Sequence, residues 1–233
     1  MKHALITGGA RGIGYGVAAA LLDAGWFVTV TGLTAQDVAA APDHPALRAL
    51  PLDVTDDASV AACVGSLERL DLLVNGAGII LRGGAEFDIA GFQHVIDVNL
   101  TGTMRMCMAA KPLLDETGGG IVNLASMWSF FGGAATPAYT ASKGGVAQLT
   151  KALAVAWAPA IRVNAIAPGW IETELTRGAR EDAARSAAIV ERTPMGRWGQ
   201  PEDVGGAVVF LASDAAKFIT GAVLPIDGGY LAK

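Results

Sequence analysis

A chain of 233 residues, 52% hydrophobic and 17% charged, has the length of one α/β domain and enough apolar side chain for a large core, which excludes an intrinsically disordered protein. Its net charge of −5 gives no basic surface for a nucleic acid, and Met1-Lys2-His3 runs into an apolar stretch too short for a signal peptide or a membrane span. The two cysteines, Cys63 and Cys107, stand in helix-like stretches and make no disulfide framework, so a soluble, cytoplasmic protein is expected.

Leu5-Ile6-Thr7 reads as a buried strand. It runs into Gly8-Gly9-Ala10-Arg11-Gly12-Ile13-Gly14 and then a helical run from Tyr15 to Ala24. Strand, glycine turn and helix is the layout of a dinucleotide site, because glycines let the backbone approach a pyrophosphate and the helix N-terminus stabilises its charge. Phe27 to Thr31 is the second strand, and its tip, Gly32-Leu33-Thr34, lacks the acid that often binds the adenosine ribose in NAD sites. Arg48 to Leu52 is a third strand, ending at Asp53-Val54, and Asp56 to Leu67 reads as a helix. Asp71 to Val74 is a fourth strand, closed by Asn75-Gly76-Ala77-Gly78, whose small residues let a ligand lie against the backbone.

The pattern from Phe92 to Leu114 predicts one long helix with Asn99 in its middle, an unfavourable interior residue. Strand five, Ile121 to Ala125, ends at Ser126. A helix over Ala138 to Ala158 carries Tyr139 and Lys143, whose spacing of four puts both side chains on one face. An ammonium beside a phenol favours the phenolate, and a tyrosine tuned in this way exchanges a proton with an alcohol or carbonyl oxygen. Strand six, Ile161 to Ala167, ends at Pro168-Gly169, and the long, irregular run from Trp170 to Trp198 reads as a lid. A helix from Pro201 to about Ala212 and a last strand, Val223 to Ile226, complete the chain. His3, His44 and His94 have no metal-ligand spacing, so no metal is expected.

The alternation predicts an α/β fold: one doubly wound, Rossmann-type domain over residues 1–233, with a mostly parallel seven-stranded sheet and helices on both faces. The glycine turn, Asp53, the Asn75 stretch, Ser126 and Pro168 all follow strands. In such sheets the ligand crevice lies at the strands' carboxyl ends, so residues scattered in sequence converge there.

With these residues placed, the chain resembles the short-chain dehydrogenase/reductase family from Thr7 to Gly229, in pattern nearest to bacterial 3-oxoacyl-carrier-protein reductases and small-alcohol or sugar dehydrogenases. The resemblance implies a catalytic tetrad of Asn99, Ser126, Tyr139 and Lys143. It makes Tyr139 the general acid/base, Ser126 the donor to the substrate oxygen, Lys143 the group that lowers the tyrosine pKa and holds the nicotinamide ribose, and Asn99 the keeper of a water chain. It places the cofactor on Gly8, Arg11, Gly12, Ile13 and Gly14, with the adenosine near Gly32, Leu33, Asp53 and Val54. The wall is Asn75, Ala77 and Gly78, and the nicotinamide clasp is Pro168, Gly169, Ile171 and Thr173. Gly76 departs from the family's Asn-Asn-Ala-Gly. The implied function is hydride transfer between NAD or NADP and a secondary alcohol or ketone, in a homo-oligomer, by family habit a tetramer. Arg11 and the absence of an acid at Gly32 lean towards NADP, with dual use open. A nucleotide-sensing module could dispense with the tetrad that this chain keeps, and an epimerase or dehydratase on a related fold would need a larger C-terminal substrate domain.

Overall fold

The apolar runs become seven parallel strands, and the computed structural model describes all residues, 1–233. β1 (His3–Thr7), β2 (Phe27–Gly32), β3 (Leu47–Pro51), β4 (Leu72–Asn75), β5 (Gly120–Leu124), β6 (Arg162–Pro168) and β7 (Val223–Ile226) lie in the order β3-β2-β1-β4-β5-β6-β7. The helices are α1 (Gly12–Asp23), α2 (Ala35–Ala39), α3 (Asp57–Gly65), α4 (Ile89–Ile96), α5 (Gly102–Thr117), α6 (Pro137–Trp157), α7 (Arg177–Glu181), α8 (Ala183–Arg192) and α9 (Pro201–Ala212). None is long and apolar enough to cross a membrane.

Both faces of the central strands are covered, which is why they read as continuous apolar runs. Alternate residues of β1 divide between two cores: Leu5 packs with α3, α5 and α6 side chains such as Val60, Met106 and Leu153, and Ile6 packs with Val17 and Leu21 of α1 and Val204 and Val208 of α9. α1 and α9 meet backbone to backbone. A Cβ on Gly16 would lie 2.5 Å from the Pro201 carbonyl oxygen, and one on Gly205 would lie 2.6 Å from the Ala20 Cβ.

The chain winds outward from β1 to β3 and then crosses back to β4 on the other side of β1. The connections leaving β1 and β4 therefore diverge, opening a crevice at their carboxyl ends.

Three segments differ from the sequence reading. The single helix expected over Phe92–Leu114 is α4, a π turn (Asp97–Thr101) and α5, and the wider turn is where Asn99 sits. α2 is an extra helix, nucleated by a local capping box in which the Asp37 N–H donates to Thr34 Oγ1 at 3.1 Å and the Thr34 N–H donates to Asp37 Oδ2 at 3.0 Å. The Trp170–Trp198 run is built from α7 and α8, closed over a small core of Ala179, Ile189 and Trp198.

Candidate active site

The crevice is a cleft of about 1150 Å³ whose wall includes Gly8, Arg11, Gly12, Ile13, Gly14, Gly78, Ser126, Tyr139, Lys143, Pro168, Gly169, Ile171 and Thr173. The glycine turn forms one end. Gly12 has φ +56°, and a Cβ there would point across the cleft to within 3.4 Å of Thr173. A Cβ on Gly14 would lie 2.4 Å from the Gly8 carbonyl oxygen, so only glycine lets the turn fold this tightly. Arg11 gives α1 no side-chain cap, which leaves first-turn N–H groups for an anion. The bare turn, the uncapped helix and the volume of the cleft fit a dinucleotide.

The chemical groups lie at the other end. Pro137 starts α6, and the N–H of Tyr139 donates to Glu86 Oε2 at 2.9 Å. The other oxygen of this buried carboxylate accepts the Leu81 N–H at 3.0 Å, so Glu86 ties the loop after β4 to α6. Lys143, one turn on, is 5% exposed, and its Nζ donates to the Leu124 carbonyl at 2.7 Å. Burial pulls its pKa down to about 8.

Tyr139 departs from the sequence expectation. Burial pushes its pKa up to about 12, against the nearby Ser126 hydroxyl and the charge of Arg82, while Glu86 pushes it further up. The ammonium of Lys143 lies 5.5 Å from the phenol ring centroid and is spent on the Leu124 carbonyl, so in the protein alone it does not offset desolvation. The Tyr139 phenol is therefore neutral at physiological pH. Ser126 caps a short 3-10 turn, and its Oγ accepts the Trp128 N–H at 3.2 Å.

Asn99, fully buried, does not border the cleft. Its amide clamps Ile79 from both sides: Oδ1 accepts the Ile79 N–H at 2.8 Å, and Nδ2 donates to the Ile79 carbonyl at 2.9 Å and to Ser142 Oγ at 3.0 Å. The side chain thus pins the loop after β4 to α6.

Several expected cofactor residues stand outside the cleft wall. Asn75 points into the core, where Nδ2 donates to Asn123 Oδ1 at 2.9 Å and to Cys107 Sγ at 3.2 Å. Ala77 backs the turn, since a Cβ on Gly8 would lie 3.0 Å from its Cα. The Asp53 carboxylate folds back onto Thr55, accepting its N–H at 2.8 Å and its hydroxyl at 2.7 Å, and Val54 packs on Gly102. Gly32 and Leu33 are likewise absent from the cleft wall. The tip residues themselves carry no acid, but α2 brings one beside them. Asp37 packs onto Gly32, and its Oδ1 lies 3.4 Å from Arg11 Nη2. Sequence spacing hides this approach, because only the short helix α2 folds residue 37 back over residue 32.

Sequence reasoning also missed Glu86 and Arg82. Arg82 lines the cleft, and its Nη2 donates to the Leu175 carbonyl at 2.9 Å. The other two cleft arginines are paired to carboxylates, Arg11 to Asp37 and Arg180 to Glu172 at 2.8 Å, whereas Arg82 has no acidic partner. Trp128 meets the Tyr139 ring edge-on at 5.4 Å between centroids, and Trp170 meets Trp128 at 5.9 Å. No cluster of three or more His, Cys, Asp or Glu side chains is arranged to hold a metal.

The chain is similar to known proteins over its whole length. Residues 8–231 match the family model described as Enoyl-(Acyl carrier protein) reductase. The chain is 41% identical to the 2-dehydro-3-deoxy-D-gluconate 5-dehydrogenase of Bacillus subtilis, covering 100% of this chain and 95% of that protein. It is 39% identical to the D-threitol dehydrogenase of Mycolicibacterium smegmatis, over 100% and 94%. Its backbone matches the crystal structure of a gluconate 5-dehydrogenase from Burkholderia cenocepacia in complex with NADP and tartrate, with TM-score 0.93, 35% identity and coverage of 100% and 96%.

The depressed pKa of Lys143 has a consequence for stability. Between about 8 and the ordinary 10.5, the unfolded chain holds this proton and the folded chain does not. Wild-type stability therefore rises with pH across that window and is lowest below it. The penalty at neutral pH is on the order of 3 kcal/mol, partly offset in a variant by the cost of leaving the Leu124 carbonyl unpaired. Thermal melts from pH 6 to 10 should show the wild type gaining on Lys143→Met above pH 8. Parallel profiles would mean that Lys143 does not titrate there.

Proposed function

The chain belongs to the short-chain dehydrogenase/reductase family, and from that premise we propose that it interconverts a secondary alcohol and a ketone on a small sugar-derived substrate, using a nicotinamide dinucleotide. The observation that carries this reading is the meeting of Ser126, Tyr139 and Lys143 in one cleft with the uncapped glycine turn. The dinucleotide, when bound, supplies or accepts the hydride. The neutral Tyr139 hydroxyl gives its proton to the substrate oxygen in reduction, and the phenolate takes it back in oxidation. The Ser126 hydroxyl donates to the same oxygen and stabilises the charge that develops there. Lys143 holds the nicotinamide ribose hydroxyls, and its charge eases formation of the phenolate. Gly8, Gly12, Ile13 and Gly14 cradle the pyrophosphate, and Pro168, Gly169, Ile171 and Thr173 bound the nicotinamide end. Asn99 acts by fixing the loop at Ile79.

The substrates named for the relatives include acidic sugars and a neutral polyol. Arg82 favours an acidic sugar. It is a guanidinium on the cleft wall without a carboxylate partner, close enough to Tyr139 to act on its charge, and it is placed to meet a substrate carboxylate. Trp128 and Trp170 offer ring faces and edges to the sugar carbons. Residues 170–198 act as the lid. The dinucleotide is NAD(P). Arg11 and the missing side chain at Gly32 favour NADP, which accompanies the Burkholderia relative, while the Arg11–Asp37 pair works against that preference and keeps NAD in use. The enzyme works in the cytoplasm as a homo-oligomer, in keeping with two buried free cysteines and with Met108 on α5 and Val155 on α6 turned outward, 51% and 84% exposed.

Tyr139→Phe should bind dinucleotide as the wild type does while turnover falls about 100-fold or more. Near-normal turnover would take Tyr139 out of the chemistry, and an inactive wild type that still binds dinucleotide would point to a sensor. Arg82→Gln should raise KM for an acidic sugar by about tenfold, the cost of a charge-assisted contact, and leave KM for threitol unchanged. Equal effects on both substrates would remove Arg82 from carboxylate recognition. Light scattering should give a mass several times the 23.8 kDa of one chain, and a 23.8 kDa species alone would refute assembly.

A further inference from the structure

Asp37 belongs to the five-residue helix α2, yet it occupies the space beside the tip of β2. A Cβ built on Gly32 would lie 2.4 Å from the Asp37 Cβ, so a side chain at position 32 and α2 in this place exclude each other. The tip residue gives up its side chain, and α2 brings a carboxylate to it from five residues on. That carboxylate is held from two sides. Oδ2 accepts the N–H of Thr34 at 3.0 Å and its hydroxyl at 2.9 Å, and Oδ1 faces Arg11 Nη2 at 3.4 Å. The hydrogen bonds from Thr34 keep its pKa below the ordinary carboxylate range, so the negative charge is present throughout the neutral range.

This inference rests on the reading that a dinucleotide lies along the glycine turn. In such sites the end of the second strand meets the adenosine ribose, where an acid accepts the hydroxyls of NAD and an arginine accommodates the 2′-phosphate of NADP. Here both groups are present and they are paired with each other. A 2′-phosphate would have to draw Arg11 away from Asp37 and then lie beside the carboxylate it left, whereas a ribose diol is a neutral donor that the carboxylate can accept. Arg11 is free to swing, its side chain being 72% exposed, while the Asp37 side chain is 17% exposed and fixed by its cap. We infer that Asp37 is a cofactor-selecting residue of this enzyme: it stands in for the absent strand-tip acid and, by holding Arg11, sets the affinity for NADP relative to NAD.

Asparagine at position 37 preserves the cap, because its carboxamide oxygen still accepts from Thr34, and it removes the charge. Dissociation constants for NADPH and NADH, from fluorescence titration without substrate, should be measured for wild type, Asp37→Asn, Arg11→Ala and the double variant. Asp37→Asn should tighten NADPH binding about tenfold or more and leave NADH unchanged or slightly weaker, since like charges side by side are strongly unfavourable. The double variant should lose most of that gain. An unchanged ratio in Asp37→Asn, or equal shifts for both dinucleotides as damage to α2 would give, overturns the inference. Failure of the wild type to bind either dinucleotide would sink the underlying reading of the cleft, and the inference with it.

Discussion

The ammonium of Lys143 is the constraint around which the site is arranged. An almost fully buried lysine with one protein acceptor, the Leu124 carbonyl, is expensive, and its pKa falls as a result. The fold holds it there by making its neighbours small and fixed. A Cβ on Gly78 would lie 3.2 Å from Asn99 Oδ1, so the missing side chain lets the loop after β4 pack closely on the Asn99 amide beside the ammonium. Asn99 then fastens the loop through Ile79 and reaches Ser142 on α6. The π turn that carries Asn99 interrupts what would otherwise be one helix, and the interruption aims the amide at the loop.

Glu86 acts from the opposite side. Its buried carboxylate accepts two backbone N–H groups, one from Leu81 and one from Tyr139 at the start of α6, where the helix dipole favours negative charge. It thereby fixes the backbone at Tyr139, and its charge adds to the burial that keeps the phenol protonated. Arg82, between these anchors, crosses the cleft to the Leu175 carbonyl and joins the loop after β4 to the segment holding α7 and α8. One loop therefore ties down the start of α6, borders the cleft and touches the segment opposite.

The two ends of the cleft are built differently. Around Tyr139 it is bordered by Trp128 and Trp170, whose rings meet edge to face, and Trp170 is backed by Trp198 at 5.6 Å. At the glycine-turn end the groups are short turns, with the pair of Arg11 and Asp37 beside the tip of β2. With the Arg11 side chain largely in solvent, such a pair contributes little to stability.

The sequence by itself determined the strands, the parallel sheet, the glycine turn and the pairing of Tyr139 with Lys143. These features are local: period, turn chemistry and a four-residue helical spacing are written in adjacent residues, and the strand ends converge by a rule of topology. The tertiary structure alone decided the electrostatic state of the site. The spacing of Tyr139 and Lys143 suggests an acidified phenol, but the phenol's charge depends on what surrounds it, and the surroundings come from Leu124, Ser126 and Glu86 on three other elements. The same holds for Asn75, legible as a small polar residue after a strand but turned into the core by Asn123 and Cys107. It holds again for Asp37, which lies five residues from Gly32 and shares its space because a capped turn of helix reverses the chain. A linear pattern specifies which groups are present and which face of an element they share. Desolvation and charge–charge distance are properties of packing between elements, and no spacing in one segment encodes them.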